Sequence, residues 1–257
     1  MICQQTLAGA RPSRRDKVLP TFVGSVTDLI VADNASPAPR PQAFLVEQSP
    51  NWTLPVHFHQ EHQFQVFVAG SGRIGRNPIE RLAIHYASPQ SGYGPLVSGD
   101  QGISYFTLRA VGDTGAWYLP EQREQLMLRI KKQQAHAAPP AAIDDAALQA
   151  LPAPTTLTLI EPQDGGMAAW LVRLGAGQNA PAPQQAFAAQ GGGRFYVVTQ
   201  GSLLSMNATL PPLSTVFVSR DEAYGLQAGP EGAEALVLQF PAAAANSFIE
   251  AMARPPA

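Results

Sequence analysis

Apolar and polar residues alternate along this chain in short runs, and few stretches sustain a helical period. Gln63-Phe64-Gln65-Val66-Phe67-Val68 is typical, running into Ala69-Gly70. Successive strand side chains face opposite sides, so alternation of this kind predicts half-buried strands. Strands are expected at 22–31, 43–47, 64–68, 81–85, 103–109, 155–160, 168–174, 195–199, 215–218 and 235–240. Residues 242–252 have helix-forming composition and are expected to lie as a helix against the outside of the second half. Residues 120–132 read as a short helix or a long strand, and the segment 133–154, rich in Ala, Pro and Gln, reads as a linker.

Composition agrees with many short strands joined by tight turns: 24 Pro and 22 Gly, with only 14% charged residues. The expected class is all-β, as two jelly-roll barrels in tandem with a few short helices. At 257 residues there is room for a 1–20 arm, a first barrel over 21–132, the 133–154 linker and a second barrel over 155–257. The 17 basic and 19 acidic residues give a net charge of −2, which announces neither a nucleic-acid surface nor an acidic tail. A small-molecule partner is expected instead.

The single cysteine, Cys3, allows neither a disulfide framework nor a thiolate zinc site. Arg11, Arg14, Arg15 and Lys17 are not followed by the apolar core of a secretory signal, and no apolar run approaches a membrane span. The expectation is a cytoplasmic protein with no membrane partner.

An internal repeat organises the chain. Gln63 to Ser71 aligns without gaps on Arg194 to Ser202, an offset of 131 residues, sharing a Phe, a Val and Gly-Ser. The same offset places Tyr93-Gly94 on Tyr224-Gly225, and a one-residue deletion places Gly99 to Gly102 on Gly229 to Gly232. Two blocks at nearly one offset indicate duplication of a β unit.

Chemistry concentrates in the first copy. Four of the five histidines lie between residues 57 and 85, three of them in His57-Phe58-His59-Gln60-Glu61-His62. Side chains two apart on a strand face the same way, so His57 and His59 form a metal clamp, with ligation favoured over a packing role. His85 and His136 read as core or surface histidines. Gly70-x-Gly72-x-x-Gly75 superficially matches a dinucleotide fingerprint, but Pro78 follows and no helix opens, so it reads as a hairpin turn.

These residues resemble the cupin family, whose first motif is G(x)5HxH(x)3-4E(x)6G. Here His57-x-His59, Gln63 and Gly70 keep the spacing, with Gln in place of Glu and Asn51 in place of the leading Gly. Together with the repeat, the resemblance implies a bicupin. The second motif is poorly kept: its Pro, Gly and His become Ser88, Gln90 and Tyr93. In the second copy the positions of His57, His59 and Gln63 hold Ala188, Gln190 and Arg194, which cannot hold a metal, so that barrel is expected to be structural, with Arg194 a candidate carboxylate binder.

The resemblance implies a divalent transition metal on His57, His59 and Gln63, iron first, with manganese, nickel or zinc as alternatives. The fourth ligand stays open among His62, His85, Tyr93 and water. Tyr93 and His62 are the candidate acid–base groups. Iron would imply a dioxygenase acting on a small oxygenated molecule; the other metals would imply a lyase or isomerase. Exchange of Glu for Gln63 leaves the metal more positive and slightly favours the second chemistry. The competing class is a non-catalytic bicupin that binds or senses a small molecule. Barrel edges make a homodimer plausible.

Overall fold

The computed structural model describes residues 1–31, 41–113, 115–127, 129–181 and 191–253. It divides into two compact units, one made of Met1–Ala10 and Pro140–Ala245, the other of Arg11–Pro139 and Asn246–Ala257. Nearly every described strand lies in an antiparallel sheet of one or other unit.

β1 (Ile2–Gln5) belongs to the later unit, where it pairs with β18 (Thr215–Val218). The 1–20 arm of the sequence reading is therefore not one element. Its second part, β2 (Arg15–Leu19), pairs with β3 (Phe22–Ile30) in the other unit. That unit continues through β4 (Gln42–Gln48), β5 (Thr53–Leu54), β6 (His57–Phe58), β7 (Gln63–Ile74), β8 (Asn77–Ile79) and β9 (Ile84–Ala87). It closes with β10 (Leu96–Arg109), β11 (Trp117–Tyr118) and β12 (Gln134–Ala137). Its main sheet runs β12-β9-β7-β10-β4-β3-β2, and β11 pairs with β6. We call this unit the first barrel.

The second barrel adds β13 (Thr155–Ile160), β14 (Ala168–Leu174), β15 (Asn179–Ala180), β16 (Gly191–Ser205), β17 (Ala208–Leu210) and β19 (Leu226–Pro241). Its order is β1-β18-β16-β19-β14-β13. Trp170, Tyr196, Val198, Val216 and Val237 fill its interior.

The repeat has a physical basis in two glycine pairs. Gly70 has φ 74°, and a Cβ there would lie 2.0 Å from the Gly102 carbonyl oxygen. Gly201 has φ 63°, and its Cβ would lie 2.2 Å from the Gly232 oxygen. In each barrel the central strand pair shifts register at this crossing, and only glycine fits.

Other differences from the sequence reading have local causes. The strand expected at 81–85 begins later, at Ile84, because Leu82 turns the chain with φ 70°. The 133–154 linker holds β12 and a helix, Asp145–Gln149, capped by the Asp144 side chain, which accepts from Ala147 N at 2.7 Å. Residues 120–132 form only a short 3-10 turn, Arg123–Gln125, among the described residues.

The helix expected over 242–252 is two pieces, a 3-10 turn Ala242–Ala245 and a helix Phe248–Ala253. The second piece belongs with the first barrel, not the second. The break occurs where Ser247 Oγ (2.7 Å) and Phe248 N (3.0 Å) donate to the Glu61 carboxylate, which satisfies N–H groups that a helix start leaves unpaired. The Gly70–Gly75 run is the β7–β8 hairpin, Ile74 opposite Asn77, as the sequence suggested. No helix among the described residues is long and apolar enough to cross a membrane.

Candidate functional site

Alternation in β2, β3, β4, β7 and β10 sends every second side chain into the first barrel, where a cavity of about 290 Å³ opens. His57, His59, Tyr93, Arg109, Asp113 and Gln65 supply its polar wall. Phe22, Val26, Phe44, Val46, Leu54 and Tyr105 supply its apolar wall.

His57 sits on β6, held by a two-way backbone bridge to Tyr93. Its Nδ1 donates to the Pro55 carbonyl at 2.8 Å, which leaves Nε2 as an acceptor for the Tyr93 hydroxyl at 2.9 Å. Gln63 Nε2 donates to the same phenol oxygen, and Gln63 Oε1 accepts from Arg109 Nη2 at 2.8 Å. Burial first, then the neighbouring His59, lowers the His57 pKa to about 3. Burial raises that of Tyr93. Both groups are thus neutral across the ordinary pH range.

His59 lies 5.3 Å from His57, ring to ring, and its Nδ1 donates to Asp113 Oδ2 at 2.6 Å. Asp113 also accepts from the backbone of Gln60 at 3.1 Å. Burial alone would raise the Asp113 pKa, but the bond from His59 and the charge of Arg109 outweigh it and bring it to about 2. Arg109, 3% exposed, lies 3.1 Å from His59 Nδ1, 3.5 Å from His59 Nε2 and 3.7 Å from Asp113 Oδ2. Its other arm donates to Gln42 Oε1 at 2.6 Å. Burial and this guanidinium both lower the His59 pKa.

The structure therefore brings together His57, His59, Gln63 and Tyr93, although Gln63 is not itself on the cavity wall. It does not bring His62 there: His62 bonds the Tyr86 hydroxyl at 2.6 Å. His85 is also off the wall, bonded to Gln65 at 2.8 Å and stacked on His136 at 4.6 Å. Of the three side chains left open as a fourth ligand, only Tyr93 faces the cavity. Arg73, Arg76 and Arg81 are exposed and do not line it. Arg194 is buried in the second barrel, with Nη2 3.4 Å from the Glu222 carbonyl, while Ala188 and Gln190 lie outside the described residues.

Sequence reasoning missed Arg109, Asp113, Gln42 and the β2 residues. A signal existed for Arg109: it continues the interior positions Tyr105 and Thr107 of an alternating strand, where a charge requires a partner.

The donor set does not fit a divalent ion in this arrangement. Among the described residues no group of three or more His, Cys, Asp or Glu side chains is placed to hold one. Nε2 of His57 is engaged by Tyr93, and a permanent cation lies beside His59.

Two positions at which the cupin motifs carry glycine hold left-handed backbone here. Asn51, at the leading Gly of the first motif, has φ 54°, and Gln90, at the Gly of the second, has φ 63°. Solved structures share the fold. The fold is that of a bicupin. The nickel(II) complex of the bacterial pirin YhhW from Escherichia coli superposes with a TM-score of 0.55 at 10% identity, covering 94% of this chain and 99% of the pirin. A "putative dioxygenase" from Nostoc punctiforme gives 0.59 at 10% identity, covering 96% and 85%. Oxalate decarboxylase from Bacillus subtilis, with Mn(II) centres, gives 0.56 at 12% identity, covering 98% and 81%. No protein-family model and no curated protein sequence matches this chain.

Proposed function

We propose that this bicupin is an enzyme acting on a small oxygenated organic molecule in the first barrel, by proton transfer through Tyr93 and His57. The observation that carries this is the buried Tyr93–His57 hydrogen bond at 2.9 Å, open to the cavity. With Nδ1 fixed on Pro55, His57 Nε2 is the only ring nitrogen free to receive a proton. A substrate proton taken by the Tyr93 oxygen is matched by passage of the phenol proton to Nε2. Gln63, donating to that oxygen, stabilises charge developing on it. Isomerisation or elimination next to a carbonyl is the reaction class this supports.

Metal dependence is a second reading, favoured by the nickel of the pirin and the manganese of the decarboxylase. It has His57, His59 and Gln63 holding iron, manganese, nickel or zinc for dioxygenase-type or lyase chemistry. It requires Arg109 to leave His59 and Tyr93 to release Nε2.

Elemental analysis of protein purified without an affinity metal column, beside a His57→Ala/His59→Ala variant, separates the two. Proton transfer predicts no stoichiometric metal. About one ion per chain, lost in the variant, would replace the first reading with the second. For the first, Tyr93→Phe should lower turnover by roughly 10²–10⁴-fold once a substrate is in hand, and unchanged turnover would refute it.

A further inference from the structure

We infer that the cavity of the first barrel selects a small organic monoanion with an apolar body, and that Lys17 is the residue that reads its charge. This rests on taking that cavity as the substrate site. On β2, Arg15, Lys17 and Leu19 alternate onto one face and all three line the cavity. Lys17 is half-buried there.

The charges on the wall nearly cancel in pairs. Arg15 is paired with Asp28, with a second contact at 3.2 Å. Arg109 is paired with Asp113 at 3.7 Å, and the Asp113 side chain is fully buried. The His57 ring is tied to the Pro55 carbonyl and the Tyr93 hydroxyl, and the His59 ring to Asp113. Lys17 is the remainder: among the described residues no carboxylate lies in salt-bridge distance of its ammonium, and its pairing neighbour on β3 is Gly24. A half-buried, unpaired ammonium over a low-dielectric cavity attracts one negative charge and repels a positive one.

The rest of the wall sets the body of the ligand. Phe22, Phe44, Val46 and Leu54 present apolar surface, and the Arg109 guanidinium carbon lies 5.6 Å above the Phe44 ring. Arg109 is already engaged by Gln42, Gln63 and Asp113, so a second anionic group deep in the cavity would compete with Asp113. A single carboxylate at the Lys17 end, with an apolar body reaching inward, matches this distribution.

The test uses the full chain and three isosteric probes, benzoate, benzamide and benzylamine, with binding measured by calorimetry. Benzoate should bind at least tenfold more tightly than benzamide or benzylamine. Lys17→Met should weaken benzoate about tenfold and leave benzamide unchanged, and Lys17→Glu should weaken benzoate further. Leu54→Trp, which fills the cavity, should abolish benzoate binding in a chain whose circular dichroism is unaltered.

Equal binding of benzoate and benzamide, no binding of benzoate, indifference to Lys17→Met, or benzoate binding that survives Leu54→Trp would each overturn the inference. The catalytic reading fails separately. Tyr93→Phe should leave the Lys17-dependent preference for benzoate in place, so full turnover in that variant would remove the Tyr93–His57 mechanism without touching the anion preference.

Discussion

The two barrels repeat one backbone and enclose different things. In the first, Gln63 on β7 bonds Arg109 on β10; in the second, the equivalent strands carry the pair reversed, with Arg194 on β16 opposite Gln239 on β19. Arg109 is bound by side chains, including a buried carboxylate, whereas Arg194 has a backbone carbonyl at 3.4 Å. Inward positions that are Gln65 and Thr107 in the first barrel are Tyr196 and Val237 in the second, and Phe44 at a cavity wall is answered by Trp170 in a filled core. Strand register thus decides where side chains meet, and their identity decides whether space is left for a ligand.

If the backbones are truly equivalent, damage to them should be equal. Gly70→Ala and Gly201→Ala each force a Cβ onto a carbonyl oxygen and should each cost about 4 kcal/mol or more in chemical denaturation. A large loss in one and none in the other would break the equivalence. The arginines should behave unequally. Arg109→Met removes the cation beside the buried Asp113 carboxylate and the donor to Gln42 and Gln63, and should cost roughly 3–5 kcal/mol, against about 1 kcal/mol for Arg194→Met. Similar costs would mean that Arg194 is as deeply engaged as Arg109.

The interiors give a third contrast. Trp170→Ala empties a packed core and should cost about 3 kcal/mol or more, whereas Phe44→Ala widens an existing cavity and should cost less than half as much. A fourth effect is confined by pH. Burial raises the Glu61 carboxyl to about 7, so the fold favours its protonated form. That contribution is complete below about pH 4.5 and is lost as pH rises to about 7, amounting to at most about 3 kcal/mol. Glu61→Gln should therefore melt higher than the parent at pH 8 and alike at pH 4.5; the reverse order would show that the bonds from Ser247 and Phe248 hold the anion.

Much of the fold was legible because it is local. Alternation marked the strand cores, and the glycine crossings repeated at a constant offset because both barrels need them. The grouping of His57, His59, Gln63 and Tyr93 followed from the resemblance to the cupin motifs. What spacing could not show is the partner set. Arg109 and Asp113 come from a strand end and a loop far along the chain, and their meeting with His59 depends on the order of strands across the sheet. His62 was misplaced for a related reason: β6 ends at Phe58, and residues 59–62 lie outside any strand, so a two-residue strand period places neither His59 nor His62.

Asn51 and Gln90 carry one further consequence. Each stands where a cupin motif is written with glycine, and each holds a left-handed φ, 54° and 63°, at the cost of a side chain in that region. At these places the chain holds a left-handed torsion angle without the glycine letter. A pattern search written in letters passes over such a chain, while superposition of backbones finds it at 10% identity. Relatives of this protein are accordingly better sought by turn geometry around the two motifs than by their consensus glycines.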